Sequence, residues 1–395
     1  MSKAIYFLAC LVMVISTSSQ TIRRLDNSTI NEDKLTSEIN RLTHAAHVTG
    51  MVVAVFNDNK PVYQKAFGYK NADTKEHLQL NTEFYGASLS KCVFSELVMK
   101  YVQEGVLDLD KPLQEYLPKP IYDYAPVTPR AWHEDYSSLK NDSLYKKITA
   151  RMCLDHTSGF PNWRHFQPDQ KLRVKREPGT RYEYSGEGMV YLQVVLEKML
   201  GIPLDSMARK KIFIPLGMKT SSYTWQPRFE NDYSFGHDAN EKILEKDKDN
   251  AARAPSTLET TPEDYIRFMA AVMNNEIVSA RYHSEMFSPQ VRIRSVSQFG
   301  PFAQKDSTLN DKIELSYGLG WGLYKTPFGW GAFKEGHSDG FQHYSVIFPA
   351  KKLGILIMCN SDNGEGIFKE LLETAIRDTF IPWKWENYIP YNQKD

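Results

Sequence analysis

Length, composition and charge limit what this chain can be. Its 395 residues are 42% hydrophobic and 12% aromatic, enough for one large domain or two ordinary ones, each with its own core. Lys plus Arg and Asp plus Glu both number 48, so no overall positive field attracts nucleic acid. We therefore predict an ordinary globular protein with no nucleic-acid partner.

The first segment has the layout of a cleavable export signal. One cation, Lys3, precedes an apolar run from Ala4 to Ile15, and small polar residues follow. The run is too short to span a bilayer, and no later stretch approaches about 20 uninterrupted apolar residues. We expect residues 1–19 to be removed as a signal peptide, leaving a folded domain over residues 20–395. The protein should be periplasmic or secreted, with no membrane span.

The predicted elements begin with a helix and a hairpin. A helical pattern covers residues 31–46, and two β-rich runs follow, Met51–Phe56 and Val62–Tyr69. The segment between the runs, Asn57-Asp58-Asn59-Lys60-Pro61, is rich in turn-forming residues. The two runs are therefore predicted to pair as a hairpin.

An apolar helical pattern comes next and begins at Ser88. The stretch FYGASLSKCVFSELVMKYVQEG, residues 84–105, places Lys91 three residues after Ser88, on the same helix face. One interpretation is an N-cap serine with a solvated lysine; the other is a nucleophile with an amine that takes its proton. Ser-x-x-Lys also occurs at Ser137–Lys140 and Ser143–Lys146, so the motif alone does not choose.

The middle of the chain is helix and loop, and strand character returns towards the end. The strand-like segments are LSYGLGWGLYK, HYSVIFP and LGILIMCN, and a last helical run covers Gly366–Thr379. The simplest closed arrangement joins both ends in one antiparallel sheet with the helical middle against it. We predict an α+β fold of two or three layers. Its sheet part covers about 30–75 and 310–395, its helical part covers about 76–309, and a cleft lies between them.

Cysteine and metal-ligand spacings predict neither a disulfide framework nor a cofactor. Cys92, Cys153 and Cys359 remain after signal removal, an odd number with no close pair, so at most one bridge can form. His44 and His47 lie one helical turn apart, but no third ligand is evident. A glycine-rich phosphate loop is also missing from the sequence. We assign no metal and no cofactor.

Four strings carry a family resemblance. The first is GASLSK, whose helix continues into EGVLDLDKPLQEYLP, and the others are ITARMCLDHTSGFPNW, PGTRYEYSGEGMVYLQVVLEKMLG and EGHSDGFQHYSVIFPAKKLGILIMCN. In wording and order they resemble the serine β-lactamase-like hydrolases, the group of class C β-lactamases, D,D-peptidases and esterases. The likeness covers roughly residue 30 to the end. It implies the fold described above and a serine hydrolase that acts through an acyl-enzyme.

The resemblance also implies the catalytic residues. It selects Ser88 as nucleophile, because only this serine follows the hairpin and begins the long apolar helix. Lys91 and Tyr184 are implied in proton transfer, with Lys91 and its neighbours holding Tyr184 partly as phenolate, ready to accept the Ser88 proton. Tyr182 competes with Tyr184 for this role, but the position just before SGEG favours Tyr184.

The third motif of the family is Lys-Thr-Gly in lactamases and often His-x-Gly in esterase or peptidase relatives. The resemblance places it on HSDG, with His337 as a hydrogen-bond donor or a partner for a substrate carboxylate. The oxyanion donors are then the backbone N–H groups of Ser88 and Gly340. His156 and His343 are interpreted as structural.

Two departures from the family pattern bear on the substrate. Gly186 stands where an asparagine usually ends the second motif, and Glu187 either partly replaces that amide or is an exposed helix residue. Asp339 stands where a glycine is expected and would oppose a substrate carboxylate. These departures favour small esters or D-amino-acid peptides and amides over efficient β-lactam turnover.

Two alternatives remain open at this point. Within the enzyme class, the chain could be a β-lactamase or D,D-carboxypeptidase. Outside it, the chain could be a catalytically silent protein that binds peptides or cell-wall fragments. The sequence names neither the substrate nor the oligomeric state.

Overall fold

The computed structural model describes residues 20–126, 132–248 and 251–393. The predicted signal peptide, residues 1–19, lies outside these ranges and stays a prediction. The strands are β1 (Thr21–Arg23), β2 (Thr29–Asn31), β3 (Gly50–Asn57), β4 (Lys60–Asn71), β5 (Glu76–His77), β6 (Phe84–Tyr85), β7 (Gly236–His237), β8 (Ile243–Leu244), β9 (Glu259–Thr260), β10 (Val291–Arg292), β11 (Ser316–Tyr317), β12 (Gly322–Thr326), β13 (Gly329–Ser338), β14 (Phe341–Phe348) and β15 (Leu353–Cys359).

Helices occupy the two ends and the middle of the chain, with short 3-10 turns between them. They are α1 (Glu32–Ala45), α2 (Ser90–Gln103), α3 (Ala150–Leu154), α4 (Gly186–Leu200), α5 (Leu204–Ala208), α6 (Ile214–Leu216), α7 (Pro262–Met273), α8 (Ala280–Met286) and α9 (Glu365–Ile376). A π-helical turn, Arg209–Phe213, joins α5 to α6.

One antiparallel sheet of nine strands joins the two ends of the chain. Its order is β10-β11-β12-β13-β14-β15-β3-β4-β5, so the N-terminal hairpin pairs with the last C-terminal strand. Met51 of β3 lies opposite Cys359 of β15, and Asn57 lies opposite Leu353. The predicted α+β fold, with its sheet built from both ends and its helical middle, is confirmed. β10 joins the sheet ahead of the boundary expected near residue 310.

The adjacent strands β3 and β15 are buried on both faces, which makes the fold three-layered. Every residue of β3 and β15 is buried. Alternate side chains of a strand point to opposite faces, so Val52 and Phe56 enter the core under α2, α4 and α7. Val53 and Val55 enter a second core with α1 and α9.

The β13–β14 hairpin leaves one edge of the sheet open beside the start of α2. β12 pairs with β13 only as far as Phe333, and Asp339-Gly340 form the two-residue turn between β13 and β14. The remaining residues of β13 pack against the 3-10 turn Ala87–Leu89. The sheet edge and the Ser88 segment therefore form two walls of one cleft.

The structure also bears on the predictions made for the cysteines and for membrane spans. Cys92, Cys153 and Cys359 are all buried and unpaired. Across the described ranges, no helix combines the length and the apolar character needed to cross a membrane.

Candidate active site

Ser88 lies in a tight turn just before α2. The preceding residue, Ala87, is buried and has φ of 45°, a left-handed conformation that a residue with a β-carbon rarely adopts. Ser90 fixes the turn, because its Oγ donates to the Ala87 carbonyl at 2.5 Å and accepts from the Leu258 N–H at 3.0 Å. The strained turn therefore presents a half-buried Ser88 hydroxyl to the cleft.

Lys91 lies one turn further on, and its side chain returns to Ser88. Its Nζ is 3.0 Å from Ser88 Oγ and donates to the Pro255 carbonyl at 2.8 Å. Lys91 is 1% exposed, and this burial, helped by the nearby charge of Lys334, holds its pKa well below the usual value. A neutral amine has a lone pair that can accept the Ser88 proton.

Tyr184 contacts the same oxygen from the other side. Its hydroxyl donates to Ser88 Oγ at 3.0 Å, and the Nζ atoms of Lys91 and Lys334 lie 4.7 and 5.0 Å from its ring centre. Burial, followed by the charge of Glu335, raises the pKa of Tyr184 well above its usual value. These shifts favour a neutral Lys91 beside a protonated Tyr184, in place of the phenolate that the resemblance implied.

The neighbours of Tyr184 separate it from its competitor. His156 is buried, its ring centre lies 4.4 Å from that of Tyr184, and its Nδ1 accepts from the Ser185 N–H. Burial lowers the pKa of His156, so a neutral imidazole supports the tyrosine ring, in line with the expected structural role. Tyr182 instead packs against Tyr317, with ring centres 5.4 Å apart. Of the two tyrosines, Tyr184 is the one that contacts the serine.

The two other Ser-x-x-Lys sites lie on the surface. Ser137 and Ser143 are both exposed, within short 3-10 turns or at their edges. Neither combines a buried lysine with a cleft, because Lys140 and Lys146 are exposed as well. The arrangement around Ser88 is therefore distinct from that at the other two sites.

Lys334 and Glu335 are site residues that the sequence analysis missed. Lys334 is fully buried, and its Nζ donates to Glu335 Oε1 at 2.6 Å, an oxygen that also accepts from Gln298 Nε2 at 2.7 Å. The sequence did contain the signal, because Lys334-Glu335-Gly336 keeps the first and third residues of Lys-Thr-Gly. Placing that motif on HSDG set it three residues too late.

The predicted roles of His337 and Gly340 change accordingly. His337 lines the cleft, but its Nδ1 lies 2.8 Å from Glu365 Oε1, and this hydrogen bond raises the pKa of the imidazole. Gly340 lies in the hairpin turn with φ of 73°, and its N–H donates to Asp362 Oδ1 at 2.7 Å. The expectation that Gly340 supplies an oxyanion donor is therefore wrong, because its N–H is already bonded elsewhere.

The departures at Gly186 and Glu187 have a structural cause. A β-carbon at Gly186 would lie 2.8 and 2.9 Å from two ring atoms of Trp163, so the indole fills the space that an asparagine side chain needs. Glu187 is fully buried, and its Oε2 lies 2.7 Å from Arg164 Nη2. It is neither an exposed helix residue nor a group in the cleft.

The cleft has two adjoining lobes. The first, about 460 Å³, is lined by Ser88, Lys91, Tyr184, Glu335 and His337, among others. The second, about 310 Å³, shares a wall with it, formed by Asn162, Trp163, Phe166, Tyr184 and Phe299. Among the described residues, no group of three or more His, Cys, Asp or Glu side chains could bind a metal ion.

Comparisons with known proteins agree with this fold. A family model described as Beta-lactamase matches residues 35–376. The chain is 22% identical over 379 residues to the D-alanyl-D-alanine-carboxypeptidase/endopeptidase AmpH of Escherichia coli (strain K12), with 91% of each chain covered. It is 29% identical over 185 residues to a lovastatin esterase of Penicillium rubens, covering 41% of this chain and 45% of that protein. The octameric penicillin-binding protein homologue from Pyrococcus abyssi matches with a TM-score of 0.68 at 21% identity, covering 87% of this chain and 77% of that one.

Proposed function

Since this chain belongs to the beta-lactamase family and is a serine hydrolase, we propose that it hydrolyses small esters or D-amino-acid peptides and amides through an acyl-enzyme on Ser88. The observation that carries the proposal is the position of Ser88 Oγ, 3.0 Å from both Lys91 Nζ and Tyr184 OH. A nucleophile within hydrogen-bond distance of a base and a proton donor is what acyl transfer requires.

In the proposed first step, the neutral Lys91 amine takes the proton of Ser88 as Oγ bonds to the substrate's carbonyl carbon. Tyr184 then donates its proton to the leaving oxygen or nitrogen as that bond breaks, and recovers a proton from the Lys91 ammonium. Water attacks the acyl group in a second step along the same proton path and releases the acid. The buried ammonium of Lys334 adds positive charge beside the Tyr184 ring during these proton transfers.

The oxyanion donors in this proposal are the N–H groups of Ser88 and His337. The first residues of a helix have N–H groups without an intrahelical acceptor, which leaves Ser88 available. In the β13–β14 hairpin, the two-residue turn makes Ser338 and Phe341 the closing hydrogen-bonded pair. The backbone of His337 then faces the other edge of β13, the one that packs against the Ser88 turn.

The charge in the cleft supports uncharged substrates. Glu335 places a carboxylate on the cavity wall at the position where lactamases of the family have a threonine. Its Oε1 accepts from Lys334, so the positive charge of this lysine is already balanced in part before a substrate carboxylate approaches. Esters and amides without a free carboxylate beside the reacting bond are therefore favoured over β-lactams.

Labelling with a fluorophosphonate tests the proposal. Mass spectrometry of the labelled peptides should place the adduct on Ser88, with Ser137 and Ser143 as internal controls unmodified. Ser88→Ala should lose both the label and hydrolysis of p-nitrophenyl butyrate while the circular dichroism spectrum is kept. Full activity of this variant, or a label on another residue, would contradict the mechanism and favour another nucleophile or the binding-protein interpretation.

Export is part of the same proposal and has its own test. The layout of residues 1–19 supports it, as described above. N-terminal sequencing of secreted material should give a start between about residues 19 and 21. Recovery of only an uncleaved intracellular form would contradict this part and leave the hydrolase proposal intact.

A further inference from the structure

We infer that Asn162 is a specificity-determining residue that donates a hydrogen bond from Nδ2 to a carbonyl oxygen of the substrate, remote from the reacting bond, where the two lobes of the cleft meet. The inference rests on the proposed function, because it concerns how an acyl substrate lies in that cleft. Gly186, which ends the second motif, has no side chain that could contact a substrate. The inference assigns a substrate contact to Asn162 instead.

The orientation of the Asn162 amide is fixed by the start of α4. Its Oδ1 accepts from the Gly186 N–H at 3.1 Å, and its main-chain carbonyl accepts from the Glu187 N–H at 3.0 Å. Because an N–H can only donate, the atom that faces Gly186 must be the amide oxygen. The Nδ2 group therefore points away from the helix, and within the described residues it has no hydrogen-bond partner.

Asn162 lies in the cleft, where its Nδ2 group can contact a substrate. The residue is half-buried and lines both the 460 Å³ lobe, which contains Ser88, and the 310 Å³ lobe beyond it. A substrate that extends from Ser88 into the second lobe therefore lies along a wall to which Asn162 contributes. The shared wall there is aromatic, with the Phe299 ring centre 5.2 Å from that of Tyr184 and the Trp163 ring beside Gly186 at the start of α4.

A donor between aromatic surfaces matches an acylamino group with an aromatic end. Its carbonyl oxygen can accept from Nδ2, while its ring packs in the second lobe. A cleft group positioned to hydrogen-bond one substrate atom discriminates against analogues that lack this atom, because the donor is then left unpaired. The predicted substrate class is therefore N-acylated amino-acid esters or amides rather than plain alkyl esters.

Two esters of equal length test the inference. The p-nitrophenyl esters of N-benzoylglycine and of 4-phenylbutanoic acid differ only in an amide that replaces two methylene groups. The native protein should prefer the N-benzoylglycine ester in kcat/KM, after subtraction of spontaneous hydrolysis. Asn162→Asp should reduce this preference at least tenfold, because it keeps an oxygen for the Gly186 N–H but loses the Nδ2 donor.

Matched variants separate recognition from folding. Asn162→Ser, which also loses the amide donor, should reduce the preference in the same way and serves if Asn162→Asp does not fold. Asn141→Asp, at an exposed asparagine, should leave the preference unchanged. A preference within twofold of the native value in both Asn162 variants would overturn the inference, as would equal kcat/KM for the two esters in the native protein. If neither ester is hydrolysed and Ser88 is not labelled, the proposed function fails, and this inference fails with it.

Discussion

Glu187→Ala should destabilise the protein far more than an exposed glutamate substitution would. The Glu187 carboxylate is fully buried and accepts from Arg164 three times: from its N–H at 2.8 Å, from Nε at 2.9 Å and from Nη2 at 2.7 Å. Arg164 is itself 7% exposed in its side chain, so removal of the carboxylate leaves a buried guanidinium without this counter-ion. Breaking a buried ion pair from one side costs about 3–5 kcal/mol.

The assay is urea unfolding followed by far-ultraviolet circular dichroism, with the free energy taken from the midpoint and the slope. Glu177→Ala is the matched control, because Glu177 pairs with Lys147 at 2.7 Å while both side chains are at least half exposed. Exposed pairs contribute about 1 kcal/mol or less. Equal losses for the two variants would refute the reasoning and mean that Glu187 does not anchor the loop that carries Asn162 and Trp163.

Three further predictions concern the chemistry. Tyr184→Phe should slow acylation by an amide substrate about 10²-fold, the scale of a positioned proton carrier, because the leaving nitrogen then lacks the Tyr184 proton, while Tyr182→Phe changes the rate little; the reverse result would mean that the wrong tyrosine is assigned. The acylation rate should rise with pH and become level below the ordinary lysine pKa of about 10.4, because burial lowers the pKa of Lys91; a base with the ordinary pKa would still give a tenfold rise per pH unit up to that point. Native kcat/KM should be higher for p-nitrophenyl butyrate than for nitrocefin, and Glu335→Thr should shift the ratio towards nitrocefin at least tenfold. Without this carboxylate, its repulsion of the nitrocefin carboxylate is lost, so an unchanged ratio would exclude Glu335 as the source of selectivity.

The sheet, the helical middle and the Ser88–Lys91 pair could be predicted because their signals are local. Period-two apolar runs identify strands, and a three-residue spacing on a helix places two side chains on one face. Tyr184 could be identified only through its place in a longer string, since its contact with Ser88 joins residues far apart in the chain.

The remainder of the site depends on contacts that no local pattern reports. The two-residue turn at Asp339-Gly340 sets which backbone groups of β13 pair with β14, and no turn was predicted there from the sequence. Likewise, nothing near Gly186 in the sequence shows that Trp163 fills the space beside it. Burial raises the pKa of Tyr184, which favours the protonated phenol over the expected phenolate.

The pairing of β3 with β15 sets the order in which this protein can fold. Met51 is made long before its partner Cys359, so β3 and β15 cannot pair until β15 has left the ribosome. Pairings this distant in sequence form slowly, and until then β3 is an apolar strand without its neighbour. Lys334 is also made long after Ser88, so a nascent chain that already contains Ser88 lacks part of the proposed site. In the proposed mechanism, catalytic competence therefore waits until β13 has been made, a timing compatible with the export proposed above.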